Sequence, residues 1–283
     1  MGICIKRNMK IKVIVFILSL TVFIYGYREY RLIYKLVDKI SFLNVGQGDS
    51  SFITSDRGAR IIVDCGPDSK IIDQLESKLG FWARRIDMII ITHGDKDHYG
   101  GCRNVIERYK VSKVMINGVF DSKNKDYQEL LEFIQKQGIQ ILPSIENTYI
   151  TIGDSIELHL LNPKTNLWGQ DIKDDNSESI VMLLKSANNT ILLTGDADKQ
   201  TELTILQKYP KLDINILKAG HHGSKTSTSE ELLDATIPEQ VIISAGANNS
   251  YNHPHPDVIY KLKKRKIQIQ EVKNYMTGID ILL

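Results

Sequence analysis

The sequence predicts an α/β (α+β) protein in which two β-sheets pack face to face and helices cover their outer surfaces. Strand-like apolar runs alternate with helix-like amphipathic runs, and a β-then-βα order occurs once on each side of the loop at 164–176. Hydrophobic residues make up 42% of the chain and charged residues 25%, which is typical of an ordinary globular protein. Two such halves bury their apolar faces as a sandwich of sheets with helices outside.

The individual elements follow from the spacing of apolar residues along the chain. In the first half, strands are predicted at 39–53, 60–63, 86–92, 111–116 and 139–142, and helices at 71–79, 102–110 and 127–137. In the second half, strands 179–185 and 190–193 are predicted to form a hairpin, with further strands at 214–218 and 240–244 and helices at 199–208, 229–235 and 257–264. Closing strands follow the last helix.

Residues 1–37 differ from the domain at 38–283. Four basic residues precede an uncharged and mostly apolar run at 13–27, which is shorter than the roughly 20 residues of a full membrane span. No small-residue cleavage site follows the run. We therefore favour an uncleaved signal-anchor, with a single-pass helix in the cell membrane and an extracellular domain, over a cleaved signal and a secreted protein. A buried helix of a soluble protein is the third alternative.

The net charge gives no support for a nucleic-acid-binding face. The whole chain carries +2, but residues 1–37 hold seven of the 36 basic residues and one of the 34 acidic residues. The domain keeps 29 basic and 33 acidic residues, a net charge of −4. Nucleic-acid binders usually present a basic face. We interpret the basic cluster at 261–266 as a solvated helix end rather than a phosphate-facing patch.

Two of the three cysteines, Cys65 and Cys102, lie in the domain, and this number does not indicate a disulfide framework. Cys65 ends an apolar strand, so we expect it to pack as a small hydrophobic residue. Cys102 is assigned no role.

A cluster of metal-ligand residues follows the buried strand at 86–92. Glycines at 94, 100 and 101 allow the backbone there to fold alternate side chains round one point. Imidazole and carboxylate are the ligands expected of zinc and of harder divalent metals. The alternative is a solvated turn that caps the next helix, but four candidates at this spacing favour a metal site. The candidate ligands are His93, Asp95, Asp97 and His98.

Three later segments carry further candidate residues. Asp196 follows the strand at 190–193, and its alternative role is a helix N-cap. His221 and His222 follow the strand at 214–218. Because adjacent strand residues point to opposite faces, we expect one ligand, His222, with His221 either supporting the ligands or facing the substrate. Prolines stiffen the loop around His253 and His255, so His253 is expected to contact a scissile phosphate or to protonate a leaving group.

These segments resemble the motifs of one known family. The loop His93-x-Asp95-x-Asp97-His98 is similar to the signature of the metallo-β-lactamase fold, in a variant with Asp in place of the second His. Over residues 39–283 the chain resembles the metallo-β-lactamase-like domain of ComEC-type competence proteins. The similar motifs are Phe42-Leu43-Asn44-Val45-Gly46-Gln47-Gly48-Asp49-Ser50, Ile62-Val63-Asp64-Cys65-Gly66, Leu193-Thr194-Gly195-Asp196, His221-His222-Gly223-Ser224 and His253-Pro254-His255-Pro256.

The resemblance implies a four-layer αββα sandwich and two divalent metal ions, Zn or Mn. His93 and Asp95 would hold one ion, Asp196 would bridge, and the other ion would be held by Asp97, His98 and His222. Three departures stand out: Asn44 replaces a common Asp, Asn252 replaces a Gly, and Asp174-Asp175-Asn176-Ser177 lies where most metallo-β-lactamase-fold hydrolases have a His. A site this rich in carboxylates favours manganese over zinc.

The resulting hypothesis is a metal-dependent hydrolase of the phosphodiesterase or nuclease type that uses a metal-bridging hydroxide, in DNA uptake or extracellular DNA processing. The alternatives are hydrolysis of an amide, thioester or β-lactam bond, and a non-catalytic anchored binding module. Expected partners are a phosphodiester substrate such as DNA, the membrane through the N-terminal segment, and a competence-type channel. The catalytic candidates are Asp97, His221 and His253, and the substrate-binding candidates are Asn44, Asp49, Ser224, Asn248 and His255.

Overall fold

The computed structural model describes residues 2–34, 37–80, 83–172 and 176–283. In chain order, its first part consists of α1 (Gly2–Tyr34), β1 (Lys39–Phe42), β2 (Ser51–Thr54), β3 (Arg60–Val63), α2 (Lys70–Lys78), β4 (Arg85–Ile91), α3 (Lys96–Tyr99), α4 (Cys102–Arg108), β5 (Lys110–Ile116), α5 (Lys125–Lys136) and β6 (Gln140–Pro143).

The second part consists of β7 (Tyr149–Ile152), β8 (Ile156–Asn162), β9 (Val181–Lys185), β10 (Thr190–Leu193), α6 (Lys199–Lys208), β11 (Ile216–Lys218), α7 (Glu230–Thr236), β12 (Gln240–Ile243), α8 (Pro256–Lys264), β13 (Gln268–Glu271) and β14 (Ile279–Leu282).

The strands form two seven-stranded sheets, in the orders β14-β1-β2-β3-β4-β5-β6 and β13-β12-β11-β10-β9-β8-β7. Strands β3 to β6 are parallel to one another, and so are β10 to β13. The carboxyl ends of parallel neighbours meet at one edge of a sheet, which is where loops can gather side chains from distant parts of the sequence.

Three apolar clusters hold the layers together. One lies between the sheets and includes Phe42, Ile90, Met182 and Ile216. The other two fill the space between each sheet and its helices, one under α2, α4 and α5 and one under α6, α7 and α8. The predicted αββα sandwich is therefore confirmed.

Two sequence predictions of strands need correction. The run at 39–53 is two antiparallel strands, β1 and β2, because the loop between them includes Gly46 and Gly48 at positive φ. The antiparallel pair of β7 and β8 was not predicted. The hairpin of β9 and β10 is confirmed.

The expectation that Cys65 packs as a small hydrophobic residue outside any disulfide was wrong. Cys65 and Cys102 form a disulfide, with Cα atoms 5.1 Å apart. The bond joins the segment after β3 to the first residue of α4, and therefore braces the candidate metal loop from both sides. A disulfide is typical of an oxidising compartment, in agreement with the expected location outside the cytoplasm.

The apolar N-terminal run lies in α1 and makes no contact with the sandwich that would bury it. The stretch Lys10–Tyr27 is long and apolar enough to cross a membrane, and none of it is buried. The alternative of a core helix is therefore wrong. A membrane anchor and a cleaved signal sequence share these features, so both of these interpretations are consistent with the structure.

Candidate metal centre

The loop after β4 is fixed by backbone contacts with two neighbouring loops. The Asp49 amide donates to the Asp97 carbonyl at 3.2 Å, and the Cys65 amide donates to the His98 carbonyl at 2.6 Å. Gly48 makes the first contact possible, because a Cβ at this position would lie 2.2 Å from the Asp97 carbonyl oxygen. The loop is held in place before any ion binds.

Three of the predicted ligands, all histidines, face a fourth, Asp196, which is 2% exposed, and Asp95 and Asp97 each lie beside one of these histidines. Its Oδ2 lies 3.9 Å from His93 Nε2 and 3.5 Å from His222 Nε2, and its Oδ1 lies 3.3 Å from His98 Nε2. Asp95 Oδ2 lies 3.6 Å from His93 Nε2. In addition, Asp97 Oδ2 lies 3.1 Å from His222 Nε2.

Two imidazoles of this centre are anchored by buried carboxylates. His98 Nδ1 lies 2.8 Å from Asp64 Oδ2, whose carboxylate also accepts from the amide and hydroxyl of Thr92. His222 Nδ1 lies 3.2 Å from Asp49 Oδ1 and 3.0 Å from the Ser244 carbonyl. Carboxylate partners of this kind fix the tautomer and orientation of metal-binding histidines.

The facing atoms of these two rings fit a metal ion better than they fit each other. Carboxylate oxygens only accept, so both rings donate from Nδ1, and in its neutral form each ring turns a lone pair at Nε2 inward. The Nε2 atoms of His98 and His222 lie 3.3 Å apart. Two lone pairs at this distance repel unless a proton or a cation lies between them. The donors are those that zinc and manganese bind, so the residues fit a divalent ion.

Buried acids control the protonation of the same rings. Burial alone would lower the pKa of His222, but Asp196 and Asp49 outweigh it and raise the pKa to about 10. Asp196 and Asp64 likewise outweigh burial and raise the pKa of His98. In the metal-free chain, protons therefore carry the positive charge that the carboxylates require. A divalent ion held by His98 and His222 would have to displace those protons.

His221 and His222 both face Asp196, although they are adjacent in the sequence. His221 Nε2 lies 3.6 Å from Asp196 Oδ2, and its side chain is 28% exposed. The expectation of opposite directions assumed strand geometry, but both residues lie in a left-handed turn, with φ of 48° and 55°. The buried ring is His222, and His221 lies at the mouth of the centre.

The loop after β12 brings His253 to the same mouth. Its ring centroid is 5.7 Å from that of His221 and 6.4 Å from that of His222. Burial comes first among the causes that lower the pKa of His253, followed by the two nearby histidines. The ring is therefore uncharged near neutral pH. Its buried Nδ1 has no hydrogen-bond partner among the described residues.

The predicted substrate-binding residues fall into two groups. Ser224 and His255 line an open cleft of about 710 Å³ beside His253, and Asn248 is exposed in the same loop. By contrast, Asn44 donates to the Tyr275 carbonyl at 3.0 Å, away from the cleft lining. Asp174 and Asp175, in the segment where a family His is missing, lie outside the described residues.

Asp49 belongs to the interior of the site rather than to its cleft. Its Oδ1 faces His222 Nδ1, and its Oδ2 lies 2.8 Å from the buried Lys218 ammonium. Both carboxylate oxygens are thus engaged. One carboxylate oxygen of Asp49 and one ligand atom each of His98, Asp196 and His222 all lie within 4.8 Å of one another. Because of its two partners, we assign it to holding His222 rather than to binding the ion.

Sequence reasoning assigned no role to three residues that shape the centre. Asp64 orients His98, and Lys218 neutralises Asp49. Asn249 accepts from the His253 amide at 2.9 Å and donates to the His253 carbonyl at 2.7 Å. Two features of the sequence could have indicated these roles. Asp64 is a charged residue directly after the buried strand β3, and Lys218 is a charged residue at the end of the apolar strand β11.

Comparisons with known proteins agree with this geometry. The chain is 30% identical over 251 residues to ComE operon protein 3 of Bacillus subtilis (strain 168), covering 82% of this chain and 31% of that protein. It is 29% identical over 252 residues to Recombination protein 2 of Haemophilus influenzae, covering 84% of this chain and 29% of that protein. The chain spans less than a third of the length of these relatives, which are ComEC-type competence proteins.

The fold is also seen in solved structures. Zn(2+)-bound PqqB from Methylobacterium extorquens aligns with a TM-score of 0.53 at 10% identity, over 87% of this chain and 100% of that one. A model of the family described as "Metallo-beta-lactamase superfamily" matches residues 43–246. Since that match includes the loops after β3, β4, β10 and β11, the chain belongs to the metallo-beta-lactamase superfamily and has the fold of a metal-dependent hydrolase.

Proposed function

We propose that this chain is a metal-dependent phosphodiesterase of the nuclease type, with two divalent ions, zinc or manganese, in its centre. The observation that carries the proposal is a donor set in two groups that share one carboxylate. His93 and Asp95 form one group, and Asp196 lies between it and the second group. The second group consists of Asp97, His98 and His222.

The side chains around the donors suit a phosphodiester. When bound, divalent cations acidify water and neutralise charge on phosphate oxygens. Asp64 and Asp49 hold the two imidazoles with Nε2 inward. His221 is part-exposed at the mouth, where it can donate to a phosphate oxygen. His253, an uncharged ring beside His221 at the mouth, can exchange a proton with the attacking water or the leaving oxygen.

A DNA strand is the phosphodiester that we favour as substrate. The names of two relatives refer to the ComE operon and to recombination, and these support a DNA-processing role. We further propose that α1 anchors the domain on the outer face of the membrane, where the Cys65–Cys102 disulfide is stable. A separate channel protein would then be the partner that moves DNA.

The test combines metal content with turnover of bis-(p-nitrophenyl) phosphate by the full chain in detergent, with and without manganese. We expect about two ions per chain and metal-dependent turnover. Asp97→Asn should lower turnover by at least about 100-fold. Loss of a metal ligand should reduce activity at least as much as loss of a residue that hydrogen-bonds to a ligand. The matched control is Asp154→Asn, an exposed carboxylate paired with Arg57 on the β7–β8 turn.

Other outcomes would favour other functions. Faster turnover of nitrocefin than of the phosphodiester would favour hydrolysis of a carbonyl bond. No retained metal and no turnover after reconstitution would contradict an enzyme and favour an anchored binding module.

A further inference from the structure

We propose that Tyr251 is a stacking platform for an unpaired nucleobase, so that the substrate of this centre is a single-stranded nucleic acid. The proposal rests on the proposed phosphodiesterase function and goes beyond it, because it names the substrate class and a residue that selects it.

Tyr251 lies at the end of a series of rings that leads out of the metal centre. Its side chain is 65% exposed. Its ring centroid is 5.7 Å from that of His253, with an angle of 26° between the ring planes. His253 is in turn 6.4 Å from His222. One face of the tyrosine is thus supported by an aromatic ring, and the residue is open to solvent.

The loop that carries Tyr251 is fixed from within. The Asn249 carboxamide oxygen accepts from the backbone amides of Tyr251 at 3.2 Å and His253 at 2.9 Å. Its amide group donates to the carbonyls of Gly246 at 2.8 Å and His253 at 2.7 Å. The backbone that carries the tyrosine is therefore fixed, which lowers the entropic cost of ordering this loop when a ligand binds.

Tyr251 also lines both of two open depressions beside the centre. One, of about 710 Å³, contains Ser224 and Lys225. The other, of about 480 Å³, contains Lys70, Lys96 and Asp97. A strand that crosses Asp97 can therefore occupy both depressions and pass over the tyrosine between them.

Exposed lysines occupy these depressions although the domain as a whole is acidic. Residues 38–283 carry a net charge of −4. Lys225 lies on one side of Tyr251, and Lys70 and Lys96 lie on the other, all three exposed. Ammonium groups on both sides of an aromatic face match a phosphate backbone that carries a base between its charges.

A single strand fits this arrangement better than a duplex. Paired bases are stacked within the helix and cannot present a face to a protein ring without being flipped out. An unpaired base stacks freely, at roughly 1–3 kcal/mol per base, and does so whatever the sequence. Phosphate contacts alone would not distinguish the two forms.

The experiment measures binding by the full chain in detergent with EDTA, so that no turnover occurs. The probes are a fluorescein-labelled oligothymidylate and an abasic deoxyribose-phosphate oligomer of the same length and label, read by fluorescence anisotropy. We expect the wild-type chain to bind the thymidylate about 10-fold more tightly, which is the lower half of the stacking range. Tyr251→Ala should reduce this ratio to about 1, and Tyr251→Phe should keep it.

The matched control is Tyr260→Ala, because Tyr260 is an equally exposed tyrosine, at 66%, on α8. It should keep the wild-type ratio. An unchanged ratio in Tyr251→Ala, a wild-type ratio near 1, or a duplex that binds as tightly as the single strand would each overturn the proposal. Because binding is read without metal, a chain that shows the Tyr251-dependent ratio but hydrolyses no phosphodiester would refute the proposed function and leave the strand-binding surface established.

Discussion

The two halves of the donor cluster are built differently. On one side, His98 and His222 are buried, and each ring is oriented through Nδ1 by a buried carboxylate. On the other side, His93 is buried, but its neighbour Asp95 has a side chain that is 52% exposed. His93 Nδ1 faces a hydroxyl, that of Thr92, at 3.0 Å.

One half is therefore organised without an ion, whereas the other half is not. A ligand held by its neighbours loses little conformational freedom on binding, whereas an exposed carboxylate must be ordered by the ion itself. We therefore expect the His98 and His222 half to bind a divalent ion more tightly than the His93 and Asp95 half. The following predictions test this asymmetry.

The largest effect is expected from Asp196, which both halves share. If the centre holds the two ions proposed above, Asp196→Asn should abolish retention of both and lower turnover by well over the roughly 100-fold expected when a hydrogen-bond partner of a ligand is lost. Mass spectrometry of metal content, with Asp154→Asn as the matched control, measures this. If one ion were retained at full occupancy, the carboxylate would not be shared.

Asp64→Asn should weaken the tighter ion specifically. The carboxylate accepts from the Thr92 amide through one oxygen, and from the Thr92 hydroxyl and His98 through the other, and an amide offers only one oxygen. We expect a roughly 10- to 100-fold loss of affinity for the more tightly bound ion. Competition with a chromogenic chelator measures this affinity.

The reciprocal variant Asp95→Asn should lower the affinity for the more weakly bound ion. The affinity for the more tightly bound ion should change by less than about threefold, which is small beside the loss expected when a hydrogen-bond partner of a ligand is replaced. Equal effects of Asp64→Asn and Asp95→Asn on both ions would contradict the asymmetry.

The halves should also respond to opposite ends of the pH scale when metal is absent. The folded-state pKa of His222 is raised from 6.5 to about 10, so its contribution to stability is complete below pH 6.5 and is lost as the pH rises towards 10. The pKa of Asp95 is lowered, chiefly by its hydrogen bond with His93. Its contribution is present above pH 3.8 and is lost as the pH falls below that value.

Urea unfolding in EDTA across these two windows measures both contributions. His222→Gln should flatten the alkaline slope, and Asp95→Asn should flatten the acid slope. A His222→Gln chain with the wild-type alkaline slope would show that other groups cause the loss.

The smallest effect on the centre is expected from the disulfide. Replacing Cys65 and Cys102 by alanine should lower the free energy of unfolding by about 2–4 kcal/mol, because the bond closes a loop with a separation of 37 residues. Metal affinity should change by less than about threefold, since hydrogen bonds to Asp64 and the Cys65 amide still hold His98. A loss of metal comparable to that of Asp64→Asn would show that the bond positions the ligands.

The fold was largely predictable from sequence because its strands are short apolar runs with clear ends. The parallel strands β4, β10 and β11 each end two to four residues before a candidate ligand, so the positions of the ligands after strands were visible in the pattern, and their convergence followed from the family resemblance. The β7–β8 hairpin was missed although β8 contains four apolar residues, Ile156, Leu158, Leu160 and Leu161.

The roles of the residues that support the metal ligands could not be predicted from their neighbours in the sequence. Asp64 has its partners 28 and 34 positions away, and Asp49 meets His222 at a separation of 173, so neither role is visible before the sheets are assembled. The directions of His221 and His222 depend on a left-handed turn that strand periodicity does not describe. The pairing of the cysteines likewise required the positions of β3 and α4 in space.

The pairing of β14 with β1 has a consequence for how the chain acquires this structure. Lys39 lies opposite Leu282, and the Lys39 ammonium meets Asp280 across 241 positions of sequence. Contacts of such long range are slow to form, because the chain must close a very large loop before they stabilise anything. Until β14 arrives, the outer edge of β1 is an open strand that can pair with another molecule. The β1 edge is therefore the part of this sheet at which a partly folded chain is most open to aggregation.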